Sequence, residues 1–183
     1  MNLPEVFGRA FLRKRHSKGF GVHSPYVFSF VNDVVNPKRY GYYAYDLLEE
    51  STEISSRITS DARWYVRFLV FLEVRRILAL PYPSESLELA ANSLKLPVHV
   101  LSPSDNPEYK ENDVLIVTAP ECKEDILVKA IESGISVLAL DPQQKLKEIL
   151  GMPLSKGVLL RGKQRLLLVP REEMEYVVYD MKI

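Results

Sequence analysis

Arg75-Arg76-Ile77-Leu78-Ala79-Leu80-Pro81-Tyr82-Pro83-Ser84-Glu85-Ser86-Leu87-Glu88-Leu89-Ala90-Ala91-Asn92-Ser93-Leu94 reads as a buried strand, a tight turn and a helix. Ile77 to Leu80 is a short apolar run without alternation, which suits a strand covered on both faces. Ser84 is placed as an N-cap. Leu87, Ala90, Ala91 and Leu94 then fall at i, i+3, i+4 and i+7, one stripe of a helix. In cofactor-binding α/β proteins this first strand-to-helix turn carries glycines, so that backbone N–H groups can approach a ligand. Here the turn has two prolines and no glycine.

The pattern repeats downstream. Val98 to Leu101, Val114 to Val117 and Ile135 to Leu140 read as further buried strands. Between them lie the helix from Ser84 to Leu94, an irregular stretch from Ser102 to Asn112, and a helix from Glu121 to Ser133 that Gly134 ends. Apolar strands alternating with helices predict a parallel doubly wound sheet. Asp141-Pro142-Gln143-Gln144 then starts another helix, with Asp141 as N-cap and Gln144 placed for a capping box. The tail differs: Gly157 to Leu160, Arg165 to Val169 and Glu175 to Tyr179 are strand-like runs joined by short loops, predicting antiparallel strands at one edge.

Upstream, Asp61 to Val74 is the most hydrophobic helix, with Trp64, Phe68, Phe71 and Leu72 on one face. A helix apolar most of the way round is buried, and this one is expected to cover the sheet and tie the N-terminal helices to it. Thr59 or Ser60 can cap it. A second helix runs from Pro25 to Val35, with Ser24 as N-cap and Pro25 at the first helical position. A third covers Asp46 to Ile54, and a short one Pro4 to about Arg15. Arg9, Arg13, Lys14, Arg15 and Lys18, interleaved with Phe7, Phe11 and Phe20, form either a solvated helix or a basic-aromatic arm for RNA. Tyr40, Tyr42, Tyr43 and Tyr45 suit a packed loop or a contact surface. His23, beside an N-cap, is read as donating to backbone and ordering its turn, with a catalytic or ligand role as the alternative.

The 183 residues allow one domain with an extension: residues 1–74 as a helical N-terminal extension and 75–183 as the α/β domain. Lys plus Arg (24) equals Asp plus Glu (24), so net charge steers the chain toward neither nucleic acid nor anionic membrane. A single cysteine, Cys122, excludes a disulfide framework and a multi-thiolate metal centre, and no metal site is expected. Residues 1–12 lack a signal-peptide core, and no apolar run nears the roughly 18 residues of a membrane span. A cytoplasmic protein is expected.

Three pieces carry a family resemblance: Gly21-Val22-His23-Ser24-Pro25-Tyr26-Val27-Phe28, Val66-Arg67-Phe68-Leu69-Val70 before the first strand, and Leu138-Ala139-Leu140-Asp141-Pro142 before the terminal strands. With a helical start, a parallel sheet and an antiparallel finish, the chain resembles class I S-adenosylmethionine-dependent methyltransferases, in particular a family of Bacteroidetes-type bacteria. The resemblance implies a Rossmann-like, mostly parallel sheet with antiparallel C-terminal strands. It places the cofactor at the strand ends, against Pro81, Tyr82, Ser84, Ser102, Thr118 and Asp141.

The chain departs from that family at each of these ends. Leu80-Pro81-Tyr82-Pro83-Ser84-Glu85 replaces an acidic residue and a glycine-rich turn. The second strand ends Leu101-Ser102-Pro103, with Asp105 three residues after Ser102, where a ribose-binding carboxylate is expected. Val117-Thr118-Ala119-Pro120 stands where the third strand commonly ends in Asp. Residues 102–112 are too few for the usual helix and strand. Pro81, Pro103, Pro120 and Pro142, each at or just after a strand end, supply no N–H where such sheets bind ligands. Glu85 and Glu88 in the following helix disfavour the cofactor's carboxylate by about 0.3–1 kcal/mol each. The expectation is a degenerate member with no catalytic residue, which binds S-adenosylmethionine weakly or not at all and acts through a protein partner or self-association, with RNA as a further partner for the basic helix. The alternative is an active methyltransferase with an atypical site, whose substrate approaches near His23, Tyr82 and Asp141.

Overall fold

The computed structural model describes residues 11–19, 21–37, 43–49, 56–118, 124–142, 148–150 and 156–183. Helical residues 11–16 (α1) precede α2 (Pro25–Phe30), which continues as a π-helical turn over Val31–Val35. Then come α3 (Tyr43–Glu49), α4 (Ser56–Phe71), β1 (Arg76–Leu80), α5 (Glu85–Leu94), β2 (Val98–Val100), β3 (Asp113–Val117), α6 (Glu124–Glu132) and β4 (Ser136–Leu140). Three strands finish the chain: β5 (Val158–Arg161), β6 (Arg165–Val169) and β7 (Val177–Asp180).

The strands form one seven-stranded sheet in the order β2-β1-β3-β4-β6-β5-β7. β1 to β4 are mutually parallel, β6 runs antiparallel to both β4 and β5, and β7 returns parallel to β5. The fold is therefore α/β and Rossmann-like, with a mostly parallel sheet, an antiparallel element among the C-terminal strands and a helical N-terminal region. The tail is not a simple meander, because the segment after β6 crosses β5 to place β7 at the far edge. Residues 102–112 contain neither helix nor strand, so β2 is the opposite edge, only three residues long and with Val100 half exposed.

Pleating divides the core. Ile77, Val114, Ile116, Leu138, Leu160 and Leu167 join one buried cluster with Val27, Phe30, Trp64, Phe68, Leu87 and Ala91, from the face that carries α2 to α5. Leu78, Leu80, Leu115, Val137 and Leu168 join Leu127, Ala130, Ile149 and Leu150 on the other face, beneath α6. The α4 helix does cover the sheet and meets α5, α3 and the π-helical turn. It begins earlier than its candidate caps, with Thr59 and Ser60 inside it, because the apolar stripe is set by burial and the polar residues before it extend the helix on its outer side.

Local signals act as read at several ends. Ser24 accepts from the Val27 N–H at 3.3 Å, and Ser84 from the Leu87 N–H at 3.3 Å. Gly134 terminates α6 at φ 72°. The same two-bond stop ends α4 and α5 without glycine. The Val74 and Leu96 N–H groups reach back to Leu69 and Ala91, and Glu73 and Lys95 hold φ 53° and 56°. Sequence offered no glycine to mark these two stops.

Candidate functional site

The carboxyl ends of β2, β1, β3 and β4 lie in a row, and they carry the residues of interest in the order Ser102, Pro81–Ser84, Thr118, Asp141. One pair among them is brought into direct contact. The Thr118 hydroxyl lies 3.1 Å from the Leu80 carbonyl and 3.0 Å from the Tyr82 carbonyl, shared between them as donor, and its N–H donates to the Leu80 carbonyl at 2.8 Å. The turn after β1 is thus pinned to the end of β3. The Leu80–Pro81 peptide is cis. Tyr82 projects outward, 71% exposed.

Ser84 faces inward. Its hydroxyl caps α5 and also meets the Tyr65 phenol, which burial pushes above its ordinary pKa against the opposing pull of Arg165. The donors of the turn are consequently few: Pro81 and Pro83 lack an N–H, and the Ser84 and Thr118 hydroxyls already have protein partners.

Ser102 and Asp141 are turned to other work. The Ser102 N–H donates to Asp105 Oδ2 at 2.8 Å and its hydroxyl to Asp105 Oδ1 at 3.1 Å. The one carboxylate near the end of β2 is folded back on its own turn. Asp141 sits at φ 45°, and its N–H donates to the Gln164 carbonyl at 2.6 Å. An N-cap is normally extended, so the expected cap geometry at Asp141 is corrected: a cross-strand bond before β6 holds the residue in the left-handed region. Residues 119–123 and 143–147, with Pro120, Cys122, Gln143 and Gln144, lie outside the described residues.

His23 is not at this row. It lines a cleft of 470 Å³ beside β7, together with Pro25, Tyr26, Glu173, Met174 and Glu175. Since β3, β4, β6 and β5 separate β1 from β7, a single approach past His23, Tyr82 and Asp141 is corrected. Nor does His23 order its turn: it is exposed, with no hydrogen bond among the described residues. His16 has the ordering role, its Nδ1 3.0 Å from the Asp180 carbonyl and its ring edge-on to Tyr179. Nothing in the neighbourhood of His16 in sequence signalled a partner 164 positions away.

Of the tyrosine-rich segment, Tyr43 is 79% exposed, and the Tyr45 hydroxyl accepts from Arg67 at 3.1 Å. Tyr40 and Tyr42 lie outside the described residues. Among the described residues, no group of three His, Cys, Asp or Glu is arranged to hold a metal ion, and no helix is long and apolar enough to cross a membrane. Comparison with protein-family models, with curated proteins and with solved structures gives no match.

Proposed function

We propose that this chain is a methyltransferase-like protein with a degenerate S-adenosylmethionine site, acting in the cytoplasm through contact with protein, its own copies included. The closure of Thr118 onto Leu80 and Tyr82 carries this reading. It spends, on the protein itself, a hydroxyl at the point where a Rossmann-like sheet receives its ligand. The neighbouring residues fit the cofactor poorly. Pro81 and Pro83 remove donors, Asp105 is committed to Ser102, and Glu85 and Glu88 place negative charge in the first turn of α5, where a ligand carboxylate would lie. No transfer step is assigned to these residues.

Isothermal calorimetry with S-adenosylmethionine tests the reading. The expected outcome is no saturable heat, and a micromolar dissociation constant overturns it. That result would favour the second reading, an active methyltransferase with an atypical site, which the exposure of Tyr82 beside Thr118 supports. RNA binding through Lys14, Arg15 and Lys18 is a weaker alternative because the chain has no net charge. It would announce itself by affinity that falls steeply with salt.

A further inference from the structure

β7 is an edge strand with two unlike ends. The Val177 N–H donates to Gly157 at 3.0 Å and the Met181 N–H to Arg161 at 2.8 Å, so the main-chain groups of Tyr176 and Val178 face away from β5. At the C-terminal end the turn after α1 covers the edge. His16 meets the Asp180 carbonyl there, and the Lys182 N–H donates to the Ser17 hydroxyl at 2.7 Å. That anchored turn holds α1 nearby, and α1 exposes Phe11 (61%) and Leu12 (40%) among the exposed cations Lys14, Arg15 and Lys18. The 470 Å³ cleft opens at the N-terminal end, apolar at Pro25, Met174 and Val177 and rimmed by the exposed Glu173 and Glu175, and it reaches along the strand to Tyr179, whose ring meets His16 edge-on. One end of the edge is a cationic apolar knob, and the other is an acidic apolar recess.

We infer that the cleft receives α1 of a second copy of this chain, in a two-fold dimer built along the β7 edges. A two-fold axis sets the edges antiparallel, so the C-terminal end of one β7 lies beside the N-terminal end of the other. Each α1 then lies over the partner's cleft, Phe11 and Leu12 enter it, and Lys14 and Arg15 meet Glu173 and Glu175. The pairing also covers the part of the edge, at Tyr176 and Val178, that the α1 turn leaves open. This inference rests on the protein-contact reading and names the partner as self.

Sedimentation of the full chain tests it with two charge-reversed variants, K14E/R15E and E173K/E175K. The wild type should be dimeric at micromolar concentration, and each variant should dissociate about tenfold or more readily. Mixing the two variants should restore a dimer, because one of its contacts is native and the other has both charges exchanged. Circular dichroism establishes that the variants are folded, and Phe11→Ser offers an independent way to weaken the knob. A wild type that stays monomeric at roughly 100 μM overturns the inference, as do dimers indifferent to both variants or a mixture that remains monomeric. A dimer that behaves as described yet binds S-adenosylmethionine would overturn the degenerate-site reading and leave this interface standing. A monomer that ignores the cofactor would do the reverse.

Discussion

The guanidinium of Arg165 lies over the indole of Trp64 with its central carbon 4.1 Å from the ring centroid, and it also reaches the Asp61 carboxylate at 3.1 Å. Arg165 begins the antiparallel strand β6, and Trp64 and Asp61 belong to α4. The contact joins the helical N-terminal region to the C-terminal part of the sheet. Trp64 is itself stacked on Phe68, with centroids 5.1 Å apart. Arg165→Ala should destabilise the protein by about 1–2 kcal/mol, chiefly through the lost cation–π and packing contacts. Asp61→Asn should cost less, about 0.5 kcal/mol, because the carboxylate side chain is 42% exposed. Trp64 is the only tryptophan, so denaturant unfolding followed by its fluorescence reads both effects.

Gly157 should resist any side chain. It holds φ 129°, and a Cβ there would stand 2.6 Å from the Val169 carbonyl oxygen and 3.0 Å from the Pro170 Cα. Both neighbours are backbone of the adjoining strand end and cannot rotate away. Gly157→Ala should cost about 3 kcal/mol. Gly134→Ala is the control: its φ of 72° is also left-handed, but nothing lies within 4 Å of the added carbon, so about 1 kcal/mol is expected. Thermal melts in which both variants lose the same stability would contradict this account.

Glu73 and Lys95 occupy the left-handed helix stops that glycine ordinarily fills. Replacing either by glycine removes the Cβ strain while keeping the two terminal hydrogen bonds. A gain of about 0.5–1 kcal/mol is expected, offset in part by the greater freedom of glycine in the unfolded chain. Chemical denaturation midpoints measure it, and a loss of stability at both positions would show that the side chains contribute more than the strain costs.

Alkaline pH should unfold the protein through its buried phenols. Burial raises the pKa of Tyr65 and of Tyr26 above the ordinary 10.0, against the opposing influence of Arg165 and of Arg171 respectively. The neutral phenol is the form the fold prefers. Its contribution is therefore complete below the unfolded pKa of about 10 and is lost as pH rises from there through the higher folded values. Stability should fall as pH rises above about 10, and the double variant Tyr26→Phe/Tyr65→Phe should show a shallower fall. Equal slopes for the two proteins would refute the assignment.

Elements whose causes are local were legible in the residues themselves. The apolar runs at Ile77–Leu80, Val114–Val117 and Ile135–Leu140, the caps Ser24 and Ser84, and the stop at Gly134 each depend on residues within a turn or two, so periodicity and side-chain chemistry were enough to read them. The prolines and missing glycine after β1 were legible for the same reason. Tertiary structure alone decided what depends on distant pairing. It set β7 parallel to β5 rather than in a hairpin, gave the ordering role to His16 instead of His23, and placed His23 beside β7, with β3, β4, β6 and β5 between it and the strand that leads to Tyr82. It also closed Thr118 onto the carbonyl of Tyr82, a residue 36 positions earlier. Such contacts cost loop-closure entropy and form only when the whole sheet is assembled, so no short window of sequence contains the information that selects them.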